Sequence, residues 1–130
     1  MTTALFDEIH HVAIIASNYQ KSKNFYVNKL GFPIIHEVYR EEKKSFKLDL
    51  KVGNQAIELF SFIDPPKRVT DPEATGLRHL CFKVKDLKAT IAKLNSLNID
   101  VEPIRVDPYT SKRFTFFQDP DFLPIEIYES

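Results

Sequence analysis

The sequence has a single cysteine, Cys81, which excludes an internal disulfide, a zinc site built from several thiolates and a CxxC redox motif. It has only three glycines, and they are too scattered to form a phosphate-binding loop or a dinucleotide-binding turn. Eighteen basic residues balance eighteen acidic ones, so no excess of positive charge favours nucleic acid or an anionic membrane surface. We therefore expect the partner to be a small molecule or a second copy of the chain.

The sequence also lacks a long apolar segment. Asp7 and Glu8 lie where a signal peptide would need an apolar run, and no later stretch is apolar enough to span a bilayer. A mass of 15.1 kDa and a hydrophobic content of 43% are typical of one ordinary domain with its own core. These features predict a single cytoplasmic domain over residues 1–130.

An internal repeat organises what the sequence does contain. Each half has the pattern of a strand, a helix and three further strands, and the modules span about residues 9–62 and 77–130. In the first module, Ser17 is predicted to cap the helix, Gly31 to end it, and Gly53-Asn54 to join the last two strands as a hairpin. A proline-containing linker over residues 63–76 separates the modules. The repeat predicts an α+β fold built from two βαβββ modules.

A shift of 68 residues aligns the two halves. The aligned pairs include His11 with His79, Glu58 with Glu126, and Phe46 with Phe114. Side chains alternate between the two faces of a strand, so a glutamate between two large aliphatic residues lies on the face opposite to them. We therefore expect the two histidines and the two glutamates to lie on the sheet face that the helices leave open.

These four side chains form a candidate metal site. A carboxylate in the centre of a strand is costly unless a cation offsets its charge, and we expect no lysine or arginine at the equivalent central positions. Two carboxylates and two neutral imidazoles balance a 2+ ion, and such a set suits zinc, nickel, cobalt, iron or manganese. The alternative for any one of them is an ordinary solvated side chain. We favour one divalent ion held by His11, Glu58, His79 and Glu126, with His36 outside the site.

Short motifs along nearly the whole chain resemble the vicinal oxygen chelate superfamily, which includes glyoxalases, bleomycin resistance proteins and dioxygenases. The motifs are Ile9-His-His-Val-Ala-Ile14, Leu30-Gly-Phe32, Ala56-Ile-Glu-Leu59, Gly76-Leu-Arg-His-Leu80 and Asp119-Pro-Asp121. Within the superfamily, the order His, Glu, His, Glu is similar to glyoxalase I. The resemblance implies two paired βαβββ modules that form a curved mixed sheet around a metal-binding cup, with zinc or nickel as the favoured ion.

The resemblance also implies an activity. It points to a metal-dependent lyase or isomerase that acts on a small 2-oxo or vicinally oxygenated compound through a stabilised enediolate. The proton-removing base maps to Glu126, with Glu58 as its counterpart across the ion. Relatives of this size commonly form homodimers in which one chain contributes the first His and Glu and its partner the second pair. We therefore expect a homodimer.

Some positions depart from glyoxalase I. Ile15 and Phe62 stand where relatives place an arginine and an asparagine that contact glutathione, so we expect a glutathione adduct not to be the preferred substrate. Candidate contacts for an anionic substrate are Arg40, Lys44 and Arg113. Two alternatives are a metal-dependent thiol transferase and an extradiol-type dioxygenase, and both of these classes use two His and one Glu as ligands. A third alternative is a non-catalytic small-molecule binding protein of the same fold.

Overall fold

A computed structural model describes residues 3–130, and the chain divides into two compact units. The first unit runs to Pro66 and the second runs from Lys67 to Ser130, so the boundary lies inside the segment predicted as a linker. No helix among the described residues is long and apolar enough to cross a membrane.

The first unit is a four-stranded mixed sheet with one helical segment. Its elements are β1 (His11–Ala16), α1 (Tyr19–Lys23) continued by a π-helical segment (Asn24–Lys29), β2 (Ile34–Arg40), a 3-10 turn (Glu41–Lys43), β3 (Ser45–Val52) and β4 (Gln55–Ser61). The strand order is β1-β4-β3-β2. The first strand runs parallel to the last, and the other neighbours are antiparallel.

The ends of this helical segment follow from local chemistry. Asn18 has extended backbone angles, and its side chain accepts a hydrogen bond from the Lys21 backbone N–H at 3.1 Å. Asn18 is therefore the capping residue, and the prediction of Ser17 is wrong by one position. The segment ends at Leu30, and Gly31 follows with a φ of 82°, as the sequence predicts.

The second unit repeats this plan. Its elements are β5 (Leu80–Val84), α2 (Leu87–Ser96), β6 (Arg105–Val106), β7 (Arg113–Gln118) and β8 (Pro124–Glu129), in the order β5-β8-β7-β6. Asp86 caps α2 by accepting a hydrogen bond from the Ala89 backbone N–H at 3.0 Å, as predicted. The strand expected near Val101 is instead the two-residue β6. The predicted α+β fold of two βαβββ modules is confirmed.

Each unit buries one face of its sheet. In the first unit the core side chains include Leu48, Leu50, Ile57 and Leu59, and in the second they include Phe117, Ile125 and Ile127. The helix of each unit contacts the last strand, with α1 against β4 and α2 against β8. Glu58 and Glu126 alternate with the buried residues of those strands, so both lie on the opposite sheet face, as predicted.

The repeat is in register along the parallel pairs but not along the hairpins. Ala13 pairs with Glu58 and Cys81 pairs with Glu126, which agrees with a shift of 68. Across the hairpins, however, the partner of Glu58 is Asp49 and the partner of Glu126 is Phe116, and 116 minus 49 is 67.

The one-residue difference arises in the connection before each last strand. Gly53-Asn54 is a tight turn in the first unit, whereas residues 119–123 join β7 to β8 in the second. Phe114, which pairs with Tyr128, is consequently the equivalent of Lys47, which pairs with Phe60. The alignment of Phe114 with Phe46 is therefore wrong, because a turn of different length shifts one strand by one residue.

The longer connection has a residue in a strained conformation. Asp119 organises the loop by accepting hydrogen bonds at Oδ1 from the backbone N–H groups of Asp121 (2.8 Å) and Leu123 (2.9 Å). Phe122 has a φ of 67° and is 66% exposed. This left-handed backbone region favours glycine, so the phenylalanine at this position is strained.

We expect Phe122→Gly to raise the free energy of unfolding by up to about 1 kcal/mol, because glycine adopts positive φ without the steric penalty of a Cβ atom. The matched control is Phe122→Ala, which removes the same exposed ring but keeps the Cβ. Urea unfolding of both variants measures the difference. A glycine variant less stable than the alanine variant would contradict the strain at this position.

Candidate metal centre

The first His–Glu pair lies in the first unit. His11 begins β1, Glu58 lies in the middle of β4, and the parallel register places both on one face. The Nε2 atom of His11 is 3.4 Å from Oε2 of Glu58, whose side chain is only 19% exposed. The other ring nitrogen of His11 lies 2.9 Å from Nδ1 of His10. His10 therefore orients the His11 ring from the side away from Glu58.

The second pair has the same arrangement in the second unit. His79 immediately precedes β5, and its Nε2 atom is 3.0 Å from Oε1 of Glu126, which is 14% exposed. The rings of His79 and Phe116 are nearly perpendicular, with a centroid separation of 5.1 Å and an interplanar angle of 89°. The ring is thus held between an aromatic wall and a carboxylate.

These separations fit two ligands of one ion. Ligand atoms about 2.1 Å from a metal are about 3.0 Å apart at octahedral angles and about 3.4 Å apart at tetrahedral angles. A direct N–H···O hydrogen bond prefers about 2.9 Å, so it explains the 3.0 Å of the second pair but not the 3.4 Å of the first. The donor set and spacing of both pairs therefore fit a divalent cation.

The structure assembles the four predicted ligands as two pairs. No cluster of three or more His, Cys, Asp or Glu side chains that could hold a metal ion lies together within residues 3–130. His11 meets Glu58 and His79 meets Glu126, one pair in each unit. Each unit therefore offers one nitrogen and one oxygen ligand.

A lysine lies beside the first pair, contrary to the expectation that no cation would occupy these central positions. The Nζ atom of Lys47 is 2.6 Å from Oδ1 of Asp49 and 3.9 Å from Oε2 of Glu58. The expectation failed because β3 was aligned with the wrong residues of β7. In the second unit the equivalent positions hold Phe114 and Phe116, so the two halves surround their glutamates differently.

Cys81 lies opposite Glu126 across the parallel pair of strands, on the site face. Desolvation raises the pKa of the Cys81 thiol to about 11, and the negative charge of Glu126 adds to the effect. The thiol is therefore protonated near neutral pH and is a poor nucleophile.

The three residues predicted to contact an anionic substrate lie on different elements. Arg40 donates through Nη2 to Ser45 Oγ at 2.8 Å and lies 4.8 Å from the centroid of Phe60, which shares the strand face of Glu58. Arg113 donates to Glu129 at 2.6 Å and lies on the face of β7 opposite Phe116. Lys44 ends the 3-10 turn with a φ of 48° and is exposed. Only Arg40 is thus placed on the glutamate face of its sheet.

Sequence reasoning missed a pocket of about 220 Å³ in the second unit. It contains His79 and Phe116 together with three arginines, namely Arg68, Arg78 and Arg105. Arg68 lies in the segment treated as a linker, where a basic residue next to prolines gives no periodic signal. In the motif Gly76-Leu-Arg-His-Leu80, the repeat indicates a functional role for His79 and gives no such signal for Arg78. The pocket therefore adds a cationic surface beside the second pair.

Comparison with known proteins places this chain in a family. The family model for the glyoxalase/bleomycin resistance protein/dioxygenase superfamily matches residues 8–127. The chain is 60% identical to the uncharacterized protein YwkD of Bacillus subtilis (strain 168), over 96% of this chain and 98% of that protein. It is 58% identical to the uncharacterized protein YaeR of Escherichia coli (strain K12), over 94% of this chain and 95% of that protein.

A solved structure is similar as well. The crystal structure of a glyoxalase family protein from Enterococcus faecalis has a TM-score of 0.91 and 56% identity, covering 97% of this chain and 100% of that one. The family model covers far more than half of the chain, and two relatives are aligned over almost their whole length. The chain therefore belongs to the glyoxalase/bleomycin resistance protein/dioxygenase superfamily.

Proposed function

We propose that this protein is a metal-dependent lyase or isomerase similar to glyoxalase I. In this proposal, one divalent ion is held by His11, Glu58, His79 and Glu126, and the substrate is a small 2-oxo or vicinally oxygenated compound. The observation that carries the proposal is the pair of His–Glu contacts, each at a ligand-to-ligand distance and each in the same position of its unit. Zinc and nickel are the favoured ions, with cobalt, manganese and iron as alternatives.

The chemistry assigned to the protein's own groups is proton transfer. A bound divalent ion supplies Lewis-acid stabilisation of the negative charge that develops on adjacent substrate oxygens. Glu126 removes the proton from the carbon beside the carbonyl and later returns it, while the aromatic rings of Phe114 and Phe116 exclude water from its side. Glu58 is the second carboxylate ligand, and the nearby Lys47 offsets part of its negative charge.

The substrate is expected to be something other than the hemithioacetal of glutathione. Ile15 is 54% exposed and Phe62 is 39% exposed, and neither side chain has a hydrogen-bonding group for a glutathione carboxylate or amide. Phe62 instead stacks on Phe60 at a centroid separation of 6.2 Å. The guanidinium of Arg40 lies 4.8 Å from the Phe60 centroid, so this surface suits an apolar substrate portion next to a single acidic group better than a charged peptide.

One observation favours a second candidate function. If Lys47 and Asp49 hold Glu58 in an ion-pair network, the remaining ligands are two histidines and one glutamate. This is the ligand set of thiol transferases and extradiol dioxygenases in the superfamily. Thiol consumption in the presence of an epoxide would favour the transferase, and oxygen uptake by the iron-loaded protein would favour the dioxygenase.

We expect the purified protein to carry about one divalent ion per chain, and His11→Ala or His79→Ala to release most of it because each removes one nitrogen ligand. His36→Ala is the control, since His36 lies on β2, at the opposite edge of the first sheet from β1. Elemental analysis and thermal unfolding with and without a chelator are the measurements. Unchanged metal content in both ligand variants would contradict the proposed site.

We expect a homodimer in which each ion takes one pair from each chain. The test mixes His11→Ala/Glu58→Ala with His79→Ala/Glu126→Ala after joint unfolding and refolding. If the ligands come from two chains, the mixed dimer regains one intact site, because one chain keeps its first pair and the other keeps its second. If each site is closed within one chain, mixing restores no metal binding. Metal content of the isolated mixed species separates the two results.

We expect Glu126→Gln to lower kcat by at least about a hundredfold while metal is retained, since an amide oxygen can bind a metal but cannot accept the substrate proton. Glu58→Gln is the matched variant and should retain more activity. Both are assayed on a panel of 2-oxo compounds and thiol adducts. A larger loss in Glu58→Gln than in Glu126→Gln would move the base to Glu58.

A further inference from the structure

The pocket of the second unit gathers positive charge next to a proposed metal ligand. Its lining residues include Arg68, Arg78, Arg105 and His79. Three carboxylates lie near it: Glu73 pairs with Arg78, Glu102 pairs with Arg105, and Glu126 contacts His79 and acts electrostatically on Arg78. Within residues 3–130, Arg68 has no carboxylate partner and donates only to Thr70 and to two backbone carbonyls. A small pocket with an arginine that no carboxylate neutralises is suited to an anionic group.

We propose that this pocket binds an acidic group of the substrate, a carboxylate or a phosphate, so that the substrate is a compact oxygenated acid. The proposal rests on the proposed metal-dependent function in one respect only, namely that the rest of this acid reaches the ion at His79 and Glu126. The pocket volume of about 220 Å³ lies below the roughly 300–1,000 Å³ usual for drug-sized ligands, which favours a small acid over a peptide-like thiol adduct.

The protein provides hydrogen-bond partners for the first two arginines, and those of Arg68 are the more extensive. Arg68 donates through Nε to Thr70 Oγ1 at 3.0 Å and through Nη2 to the carbonyl oxygens of Leu77 (2.9 Å) and Arg78 (2.8 Å). Arg78 donates through Nε and Nη2 to Glu73. A guanidinium held by three contacts, as in Arg68, loses little conformational entropy when it binds an anion.

The guanidinium groups of Arg68 and Arg78 both keep N–H donors that a ligand can use. A guanidinium has five N–H groups, and these contacts use only the Nε and Nη2 atoms of each arginine. In the part of the chain that the structure describes, the Nη1 atoms of Arg68 and Arg78 have no protein acceptor. The pocket therefore offers N–H groups that a substrate oxygen can satisfy.

Arg105 links the pocket to the candidate metal centre. Its guanidinium lies 5.1 Å from the centroid of Phe116, whose ring is nearly perpendicular to that of His79. Arg105 also donates to Glu102 at 3.0 Å. A planar group resting on Phe116 is thus positioned one ring away from His79. An acid bound to Arg105 lies beside the histidine rather than in a separate part of the unit.

The arginines could instead only hold the chain in shape, as the contacts of Arg68 with two backbone carbonyls show. This role predicts changes in stability but not in anion affinity. Arg105 is the better test residue because its side chain is 51% exposed and its one ion-pair partner is also exposed. Arg113 is the matched control, since it pairs with a glutamate in the same unit but lies on the other sheet face.

The experiment measures binding of three probes by calorimetry: lactate, inorganic phosphate and the neutral compound hydroxyacetone. We expect both anions to bind at least about tenfold more tightly than hydroxyacetone, because each charge-assisted hydrogen bond contributes roughly that factor or more. Arg105→Gln and Arg78→Gln should each weaken anion binding by about tenfold, and Arg113→Gln should leave it unchanged. Tighter binding of phosphate than of lactate would identify a phosphate-bearing substrate, and the reverse a carboxylate.

Repeating the titrations after chelator treatment separates this inference from the proposed function. Phosphate binding that persists in a protein without bound metal would support the anion pocket and leave the metal-dependent function unsupported. A metal-loaded protein that binds neither anion would overturn the anion pocket and leave the metal proposal standing. Equal anion affinity in Arg105→Gln, Arg78→Gln and Arg113→Gln would also overturn it, whatever their thermal stabilities.

Discussion

A half-buried carboxylate at the centre of a strand is the constraint on which the site depends. Glu58 and Glu126 each lie between two buried aliphatic residues and are themselves less than one-fifth exposed. The sheet cannot release either residue to solvent without moving its neighbours out of the core. Each glutamate must therefore meet a cation or a hydrogen-bond donor on the open sheet face, and the nearby histidine is the group that the fold supplies in both units.

The parallel pairing of the first and last strands of each unit determines which histidine contacts the glutamate. In each unit a residue two positions before the partner of the glutamate shares its face, and this residue is His11 or His79. A parallel neighbour needs a crossover connection, which the helix and the two intervening strands provide. The βαβββ order is thus what brings a histidine near the start of a unit to a glutamate near its end.

Much of this could be predicted from the sequence because strand alternation and the 68-residue repeat are local signals. Asp86 as a helix cap and the Gly53-Asn54 hairpin were predictable for the same reason. The environment of Glu58 was not, because the pairing of β7 depends on the length of the loop at 119–123, and a repeat alignment without gaps cannot register that change. The arginine pocket could not be predicted either, because its three arginines lie in separate segments: the linker, the residues just before β5, and β6.

The two glutamates have unequal surroundings, which bears on the roles proposed for them. Lys47 and Asp49 offer Glu58 a competing partner, so part of its charge is committed within the protein before any ion binds. Glu126 has aromatic neighbours instead, and His79 is its only ion-pair partner within the described residues. A carboxylate whose charge is less committed is the better proton acceptor. This difference supports Glu126 as the base in the proposed function, beside the pocket where we propose that the arginines bind an acid.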